Sequence, residues 1–168
     1  MSAPFKRILL ATEGTEFDTG AERVGIDLAA DCDVPLMAVL PIVSNPEFES
    51  LAPQREERAE AEAAARLAAL QQSARAQGVD LAGNVRRGEQ PFREIVDEAT
   101  ERQADLLVLR RRGRRSYLAN LLLGEMVHTV TGHTHCSVLI VPRSAQPWSR
   151  AVVVATDGSA CGACAVTV

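Results

Sequence analysis

Short apolar runs alternate with longer helix-forming segments along most of this sequence. The run 106–109 is apolar at every position, which is typical of a strand buried on both faces of a parallel sheet. The segments between the runs either show helical periodicity or are rich in strong helix formers. This alternation predicts an α/β fold, a doubly wound five-stranded parallel sheet with helices on both faces and right-handed crossovers.

The same patterns predict where the elements lie. We expect strands at 7–12, 36–40, 81–87, 106–109 and 137–141, and helices at 17–30, 53–77, 91–101 and from about 125 onward. Pro41 and Pro46 are expected to make 41–52 irregular. The first helix is expected to keep three acidic residues on its solvated face: Asp18, Glu22 and Asp27. The second is expected to pack an alanine face closely on the sheet: Ala61, Ala64, Ala65, Ala68 and Ala69.

Composition excludes several functional classes. The net charge of −4 argues against a general nucleic-acid binder, and no apolar run reaches the length of a membrane span. The N-terminus lacks the apolar stretch of a signal peptide, and the four cysteines are not spaced as a secreted disulfide framework. We therefore expect a cytoplasmic protein, with no membrane partner and with nucleic acid disfavoured.

The opening of the chain recurs near its end. Ile8–Thr15 (ILLATEGT) matches Val152–Ser159 (VVVATDGS) at a constant offset of 144 residues. Chance similarity between two buried strands is the alternative explanation. The repeat predicts one α/β domain at 1–143, a linker at 144–150, and the start of a second, truncated copy at 151–168.

The region between the run 106–109 and the next helix is the main candidate for a site. Five arginines fall within 110–115, and a helix is expected to start near Glu125. A strand, a loop and a helix N-terminus together can hold a phosphate through backbone N–H groups and the helix dipole. In doubly wound sheets, ligands bind at the carboxyl ends of the strands, where the turns after Thr12, Leu40 and Leu109 all lie.

Four segments carry a resemblance to the universal stress protein A family, over residues 5–143: Ala11–Thr15, Ala104–Leu109, Leu121–Gly124 and His133–Val141. The resemblance implies a Rossmann-like fold, a homodimer formed through the last strand and, in a subset of members, an ATP or AMP site. That subset has a Gly-x-x-Gly-x9-Gly-Ser/Thr loop, an acidic residue after the first strand, and backbone contacts to adenine after the second. Carried onto this chain, the binding residues are Thr12, Glu13, Gly14, Val39, Leu40, Arg110, Gly113, Arg114, Gly124 and Glu125.

The loop departs from that motif in three ways. Arg110 stands at the first glycine position, where a side chain hinders close backbone approach, and ten residues separate Gly113 from Gly124. Glu125 replaces the Ser/Thr and repels an anion at the helix start. Glu13 replaces the usual Asp and is still long enough to reach a ribose hydroxyl. These departures predict a degenerate nucleotide site.

Three interpretations of the arginines at 110–115 stay open. They form a solvated loop without a ligand, an altered clamp for a nucleotide or polyphosphate, or a patch for an acidic protein or nucleic acid. The sequence favours a non-enzymatic regulatory domain of stress-response type. The alternative is a nucleotide-dependent switch or slow ATPase that uses the arginines.

Other candidate sites have simple structural explanations. His133, His135 and Cys136 lie at a helix-to-strand turn without a fourth ligand at fixed spacing, and Cys161 and Cys164 fall in the repeated segment. We therefore expect no metal site. No nucleophile elbow or Walker loop is present in the sequence, so no catalytic residue is assigned.

Overall fold

A computed structural model describes residues 4–44, 53–111 and 125–146. In these ranges the chain forms one parallel five-stranded sheet with the strand order β3–β2–β1–β4–β5. The strands are β1 (Ile8–Ala11), β2 (Leu36–Val43), β3 (Leu81–Gly88), β4 (Leu106–Arg110) and β5 (Ser137–Val141). The helices are α1 (Thr19–Cys32), α2 (Pro53–Ala76), α3 (Pro91–Glu101) and α4 (Glu125–His133). The predicted α/β fold class is confirmed.

Both faces of the sheet are covered by helices. Successive strand residues point to opposite faces, so Ile8 and Leu10 of β1 pack on the side of α1 and α2. Leu9 and Ala11 pack on the side of α3 and α4. Each buried leucine or isoleucine contributes about 1.5–3 kcal/mol to stability. Burial on both faces explains why the strand segments read as continuous apolar runs.

The second strand is longer than its sequence indicates. Pro41 was expected to begin an irregular segment, but β2 continues through it to Val43. Pairing of β1 with β2 ends at Val39, whereas β2 stays paired with β3 as far as Val43 and Gly88. Proline lacks a backbone N–H, and strand segments that need hydrogen bonds on one side only can accept it.

The predicted buried face of α2 is wrong. The buried positions are Ala63, Leu70 and Ala74, with Leu67 half-buried beside them. The alanines expected to pack on the sheet are exposed to solvent instead: Ala61, Ala64, Ala65, Ala68 and Ala69. Alanine occurs on every face of this helix and therefore carries no periodic signal. Leu67 and Leu70 bury more apolar area than an alanine does, and they therefore determine which face of α2 packs against the sheet.

A group of charged residues joins β3 to α3, and we call it the Arg86 cluster. Arg86, 19% exposed, is ion-paired at 2.9–3.1 Å with three carboxylates of α3: Glu94, Glu98 and Glu101. Glu98 is 2% exposed, and its other oxygen accepts a bond from Arg102 at 3.0 Å. Burial acts to raise the pKa of Glu98, but the bonds from Arg86, Arg102 and Asn84 outweigh it and hold the pKa below its usual value.

The strand order reverses at β1, which lies between β2 and β4. The chain leaves β1 toward one edge of the sheet and later returns to β4 on its other side. This reversal opens a crevice at the carboxyl ends of β1 and β4. Three segments discussed above lie outside the described residues: 45–52, 112–124 and 147–168.

Candidate functional site

A cleft that is partly open to solvent lies at the carboxyl ends of β1 and β4. One part of its lining is apolar and comes from five elements: Ala11, Pro41, Ile95, Leu109 and Met126. The other part is polar and charged: Thr12, Glu13, Asp18 and Arg110. An apolar wall facing a few fixed polar groups is the usual construction of a small-molecule site.

The turn after β1 is held by its own hydrogen bonds. Gly14 N–H donates to Thr12 Oγ1 at 2.9 Å, and the Thr12 hydroxyl donates to Glu22 Oε1 at 2.7 Å. Gly14 has φ +65°, in the left-handed region that glycine adopts without strain. A Cβ at Gly14 would come within 2.8 Å of the Arg66 side chain. The turn therefore requires glycine and presents Glu13 at the cleft.

Arg110, the last residue of β4, crosses the mouth of this turn. Its Nη2 donates to Glu13 Oε2 at 2.7 Å, and its Nε lies 3.2 Å from Asp18 Oδ1. A longer contact of 3.4 Å joins Nη1 to Thr15 Oγ1. The side chain is only 12% exposed. We call these four residues the Arg110 cluster. The solvated-loop interpretation is wrong for Arg110, and it stays a prediction for Arg112, Arg114 and Arg115.

Asp18 is the residue of this cluster that sequence reasoning missed. It was expected on the solvated face of a helix, but it is 1% exposed. Its Oδ2 accepts bonds from the N–H and the hydroxyl of Thr15, at 2.9 and 2.5 Å. Among the described residues, no donor is aligned for a hydrogen bond to Oδ1, although Arg110 Nε faces it. Its place just before α1, at the carboxyl edge of the sheet, was the available signal.

Glu22 was also expected to be solvated, and it is half-buried behind Thr12. Burial raises its pKa, and the nearby Asp18 charge adds to this, while the Thr12 hydrogen bond opposes it. Among the described residues, the carboxylates of Glu13, Asp18 and Glu22 therefore lie close together, and Arg110 is ion-paired with two of them. The third predicted acidic residue, Asp27, is half-buried on α1.

An exposed aromatic ring borders the cluster. Phe17 is 53% exposed and lies between two guanidinium groups, with Arg110 at 5.9 Å and Arg143 at 5.1 Å from the ring centroid. Arg143 also donates to Glu16 at 3.0 Å. The two arginines thus share one ring, but only Arg110 reaches Glu13 and Asp18.

The remaining predicted binding residues differ in where they lie. Val39 and Leu40 are buried, and the Val39 carbonyl accepts a bond from Thr12 N–H at 3.1 Å. Pro41 is the β2 residue that lines the cleft. Glu125 is the first residue of α4, next to the cleft residue Met126. Gly113, Arg114 and Gly124 lie outside the described residues.

The histidine and cysteine residues near β5 have separate local partners. His133 Nδ1 lies 2.7 Å from the Thr129 carbonyl, and its ring is 5.7 Å from that of Phe92. The Cys136 sulfur lies 3.3 Å from the Thr134 hydroxyl. Within the described ranges, no three His, Cys, Asp or Glu side chains are grouped as metal ligands.

No helix in the described part of the chain has the length and apolar character needed to span a membrane.

Comparison with known proteins identifies similar sequences. The profile of the universal stress protein family matches residues 4–142. A universal stress protein of Methanocaldococcus jannaschii is 28% identical over 149 residues, which cover 83% of each chain. A universal stress protein of Synechocystis sp. is 38% identical over 94 residues, which cover 56% of this chain and 60% of the relative.

Solved structures share the fold at low sequence identity. A universal stress protein from Archaeoglobus fulgidus superposes with a TM-score of 0.67 at 20% identity, covering 81% of this chain and 98% of that one. A universal stress protein solved in complex with cAMP has a TM-score of 0.60 at 24% identity, with coverage of 83% and 98%. An Archaeoglobus fulgidus protein in complex with dAMP has a TM-score of 0.60 at 17% identity, with coverage of 81% and 97%.

Proposed function

Because the chain belongs to the universal stress protein family, we propose that it is a non-enzymatic regulatory domain of stress-response type whose cleft takes an adenine nucleotide. The adenine ring would lie against the apolar wall, and the sugar and phosphate would face the Arg110 cluster. The two complexes with cAMP and dAMP support an adenine mononucleotide as the ligand class. The departures at Arg110 and Glu125 support a lower affinity than an intact phosphate loop provides.

The observation that carries this proposal is the pairing of Arg110 with Glu13 inside the cleft. It holds a guanidinium and a carboxylate 2.7 Å apart at the strand-order reversal, and these are groups that commonly bind a phosphate and a sugar hydroxyl. A nucleotide needs both groups, one for its phosphate and one for its sugar.

The nucleotide-dependent switch (with ATP or AMP) or slow ATPase stays a second hypothesis. It depends on the arginines and glycines of 112–124, which lie outside the described residues. A protein partner at the arginine loop depends on the same segment, because Arg110 itself is engaged inside the molecule. No observation in the described residues favours either hypothesis over a mononucleotide site.

We also propose a homodimer formed through β5. Within the described residues, β5 is the last strand on its side of the sheet, and three successive aliphatic side chains on it are half-buried: Val138, Leu139 and Ile140. An unpaired strand edge with aliphatic side chains is suited to association. Light scattering at micromolar protein should give twice the chain mass, and a monomer would contradict this proposal.

Nucleotide binding is tested on the purified full chain. Mass spectrometry of the supernatant after denaturation should detect AMP or a related adenine nucleotide carried through purification. Calorimetric titration with AMP, cAMP and ATP should then show saturable binding of at least one of them. If no adenine nucleotide is carried through and none binds at millimolar concentration, the proposed function is wrong.

A further inference from the structure

The two carboxylates that face Arg110 differ in how firmly they are held. Asp18 is 1% exposed, and its Oδ2 is fixed by two bonds from Thr15. Glu13 has a side chain that is 34% exposed, and it lies on a turn at the cleft. A bound molecule therefore reaches Glu13 more readily than Asp18. The 2.7 Å bond from Arg110 Nη2 to Glu13 is the one that a ligand can replace.

The geometry of Arg110 permits such a replacement without freeing the side chain. Its Nε faces Asp18, while Nη2 and Nη1 face Glu13 and Thr15. A guanidinium has five N–H donors in a planar fork, and two of them can hold one phosphate. Nε can stay at the buried Asp18 while the outer nitrogens turn toward a phosphate. Asp18 thus acts as the anchor, and Glu13 as the exchangeable partner.

Binding of the nucleotide's sugar at Glu13 explains why Arg110 would exchange Glu13 for a phosphate. A carboxylate after a strand of an open α/β sheet commonly accepts hydrogen bonds from ribose hydroxyls. When the sugar takes Glu13, Arg110 loses one of its two counter-ions, and its side chain is only 12% exposed to water. A ligand phosphate restores the lost anion, whereas an unphosphorylated nucleoside does not. A poorly hydrated charge left without its partner weakens binding.

Building on the proposed function, we infer that Arg110 is the specificity-determining residue of the cleft. It transfers its Nη2 donor from Glu13 to the phosphate of the ligand while its Nε stays at ion-pair distance from Asp18. The cleft consequently accepts a nucleoside monophosphate and discriminates against the nucleoside.

The test compares AMP with adenosine by calorimetric titration, on the full chain and on Arg110→Gln. The native protein should prefer AMP by about tenfold or more, the value of one charge-assisted hydrogen bond. Arg110→Gln should lose most of that preference, because AMP binds more weakly without the guanidinium at its phosphate while adenosine does not depend on that group. An unchanged ratio of the two dissociation constants would overturn the inference, even if both affinities shift together.

Two further variants separate the inference from simpler explanations. Arg143→Gln removes the other arginine on the Phe17 ring, which is paired with Glu16 and does not reach Glu13. Arg143→Gln should keep the preference for AMP over adenosine. If it loses as much of that preference as Arg110→Gln does, overall charge explains the effect. Arg110→Lys keeps the cation but not the fork and should show a smaller preference than the native chain. A native-like preference in Arg110→Lys would contradict the exchange.

A failure of the proposed function gives a different result. If the native chain binds neither AMP nor adenosine at millimolar concentration, the adenine site itself is wrong, and the inference falls with it. If AMP binds but the preference does not depend on Arg110, the site stands and only the inference is overturned.

Discussion

The Arg86 cluster and the Arg110 cluster contain the same kinds of groups in different surroundings. Arg86 is 19% exposed and Arg110 is 12% exposed, and each is paired with at least one carboxylate that is nearly fully buried. In the Arg86 cluster both oxygens of Glu98 accept aligned bonds, from Arg102 on one side and from Asn84 and Arg86 on the other. In the Arg110 cluster, Asp18 Oδ1 has Arg110 Nε nearby but off the line of a hydrogen bond.

The structural surroundings of the Arg86 cluster and the Arg110 cluster also differ. The Arg86 cluster joins a strand to a helix, both held by regular backbone hydrogen bonds, and every carboxylate in it belongs to α3. The Arg110 cluster draws its carboxylates from the turn between β1 and α1, beside a cleft. A saturated cluster stabilises the fold, whereas an incompletely saturated one at a cleft can exchange partners. Burial and ion pairing alone do not distinguish the two roles.

The largest expected effect is that of Arg86→Ala. It leaves Glu98 charged and 2% exposed with fewer donors, and breaking a buried pair in this way costs about 3 kcal/mol. The free energy of unfolding in urea measures the loss. The matched control is Arg87→Ala, on the neighbouring residue, which pairs with the half-exposed Glu60 and should cost less than about 1 kcal/mol. Equal losses of unfolding free energy in the two variants would contradict a special structural role for the Arg86 cluster.

Gly14→Ala should be next in size. The residue has φ +65°, where a Cβ costs about 1–2 kcal/mol, and the new methyl group would press on the Arg66 side chain. Because the turn presents Glu13, the variant should also weaken AMP binding at a temperature where it is still folded. Gly78→Ala is the control: it has φ +77°, and its added Cβ meets nothing within 4 Å. It should lose stability and keep binding.

Arg110→Gln should destabilise the fold by about 1 kcal/mol, less than Arg86→Ala does, because glutamine keeps a side-chain N–H donor near Asp18 whereas alanine has none. Its neighbour Asp18 keeps the two bonds from Thr15, and the cleft beside it can admit water. Urea unfolding beside Arg86→Ala gives the direct comparison between the clusters. A loss as large as that of Arg86→Ala would mean that Arg110 is mainly structural and that the two clusters do not differ in role.

The smallest expected effect is on the pH dependence of stability. The pKa of Glu98 is lowered, so its contribution is present above the unfolded value of 4.5 and is lost as the pH falls through the lower folded pKa. The pKa of Glu22 is raised by burial, so its contribution is present below 4.5 and is lost as the pH rises through the higher folded pKa. Thermal unfolding across the acid range should show that Glu98→Gln reduces the loss of Tm on acidification. Glu22→Gln should reduce the loss of Tm that occurs as the pH rises above 4.5. If both variants change the slope of Tm against pH in the same direction, the assignment is wrong.

Much of the fold was predictable from local sequence. The bounds of α3 and β5 were predicted as observed, because Pro91 starts a helix at a favoured position and 137–141 is a compact apolar run. The sequence could predict the edge of the sheet at which the cleft lies, because the strand order decides where the carboxyl ends of the strands meet. The sequence also singled out Arg110, because an arginine stands there at the position where the nucleotide-binding loop of the universal stress protein A family has glycine.

The set of helices and strands follows from local sequence, because helical and strand periodicities depend on residues that are neighbours along the chain. Three features depend on long-range packing instead: Leu67 and Leu70 define the packed face of α2, Pro41 lies inside a strand, and Asp18 is buried. Long-range packing also brings Arg110 to Glu13, 97 residues away in sequence. Such a contact depends on which strands lie side by side, and no local pattern encodes the burial or the partner of a charged side chain.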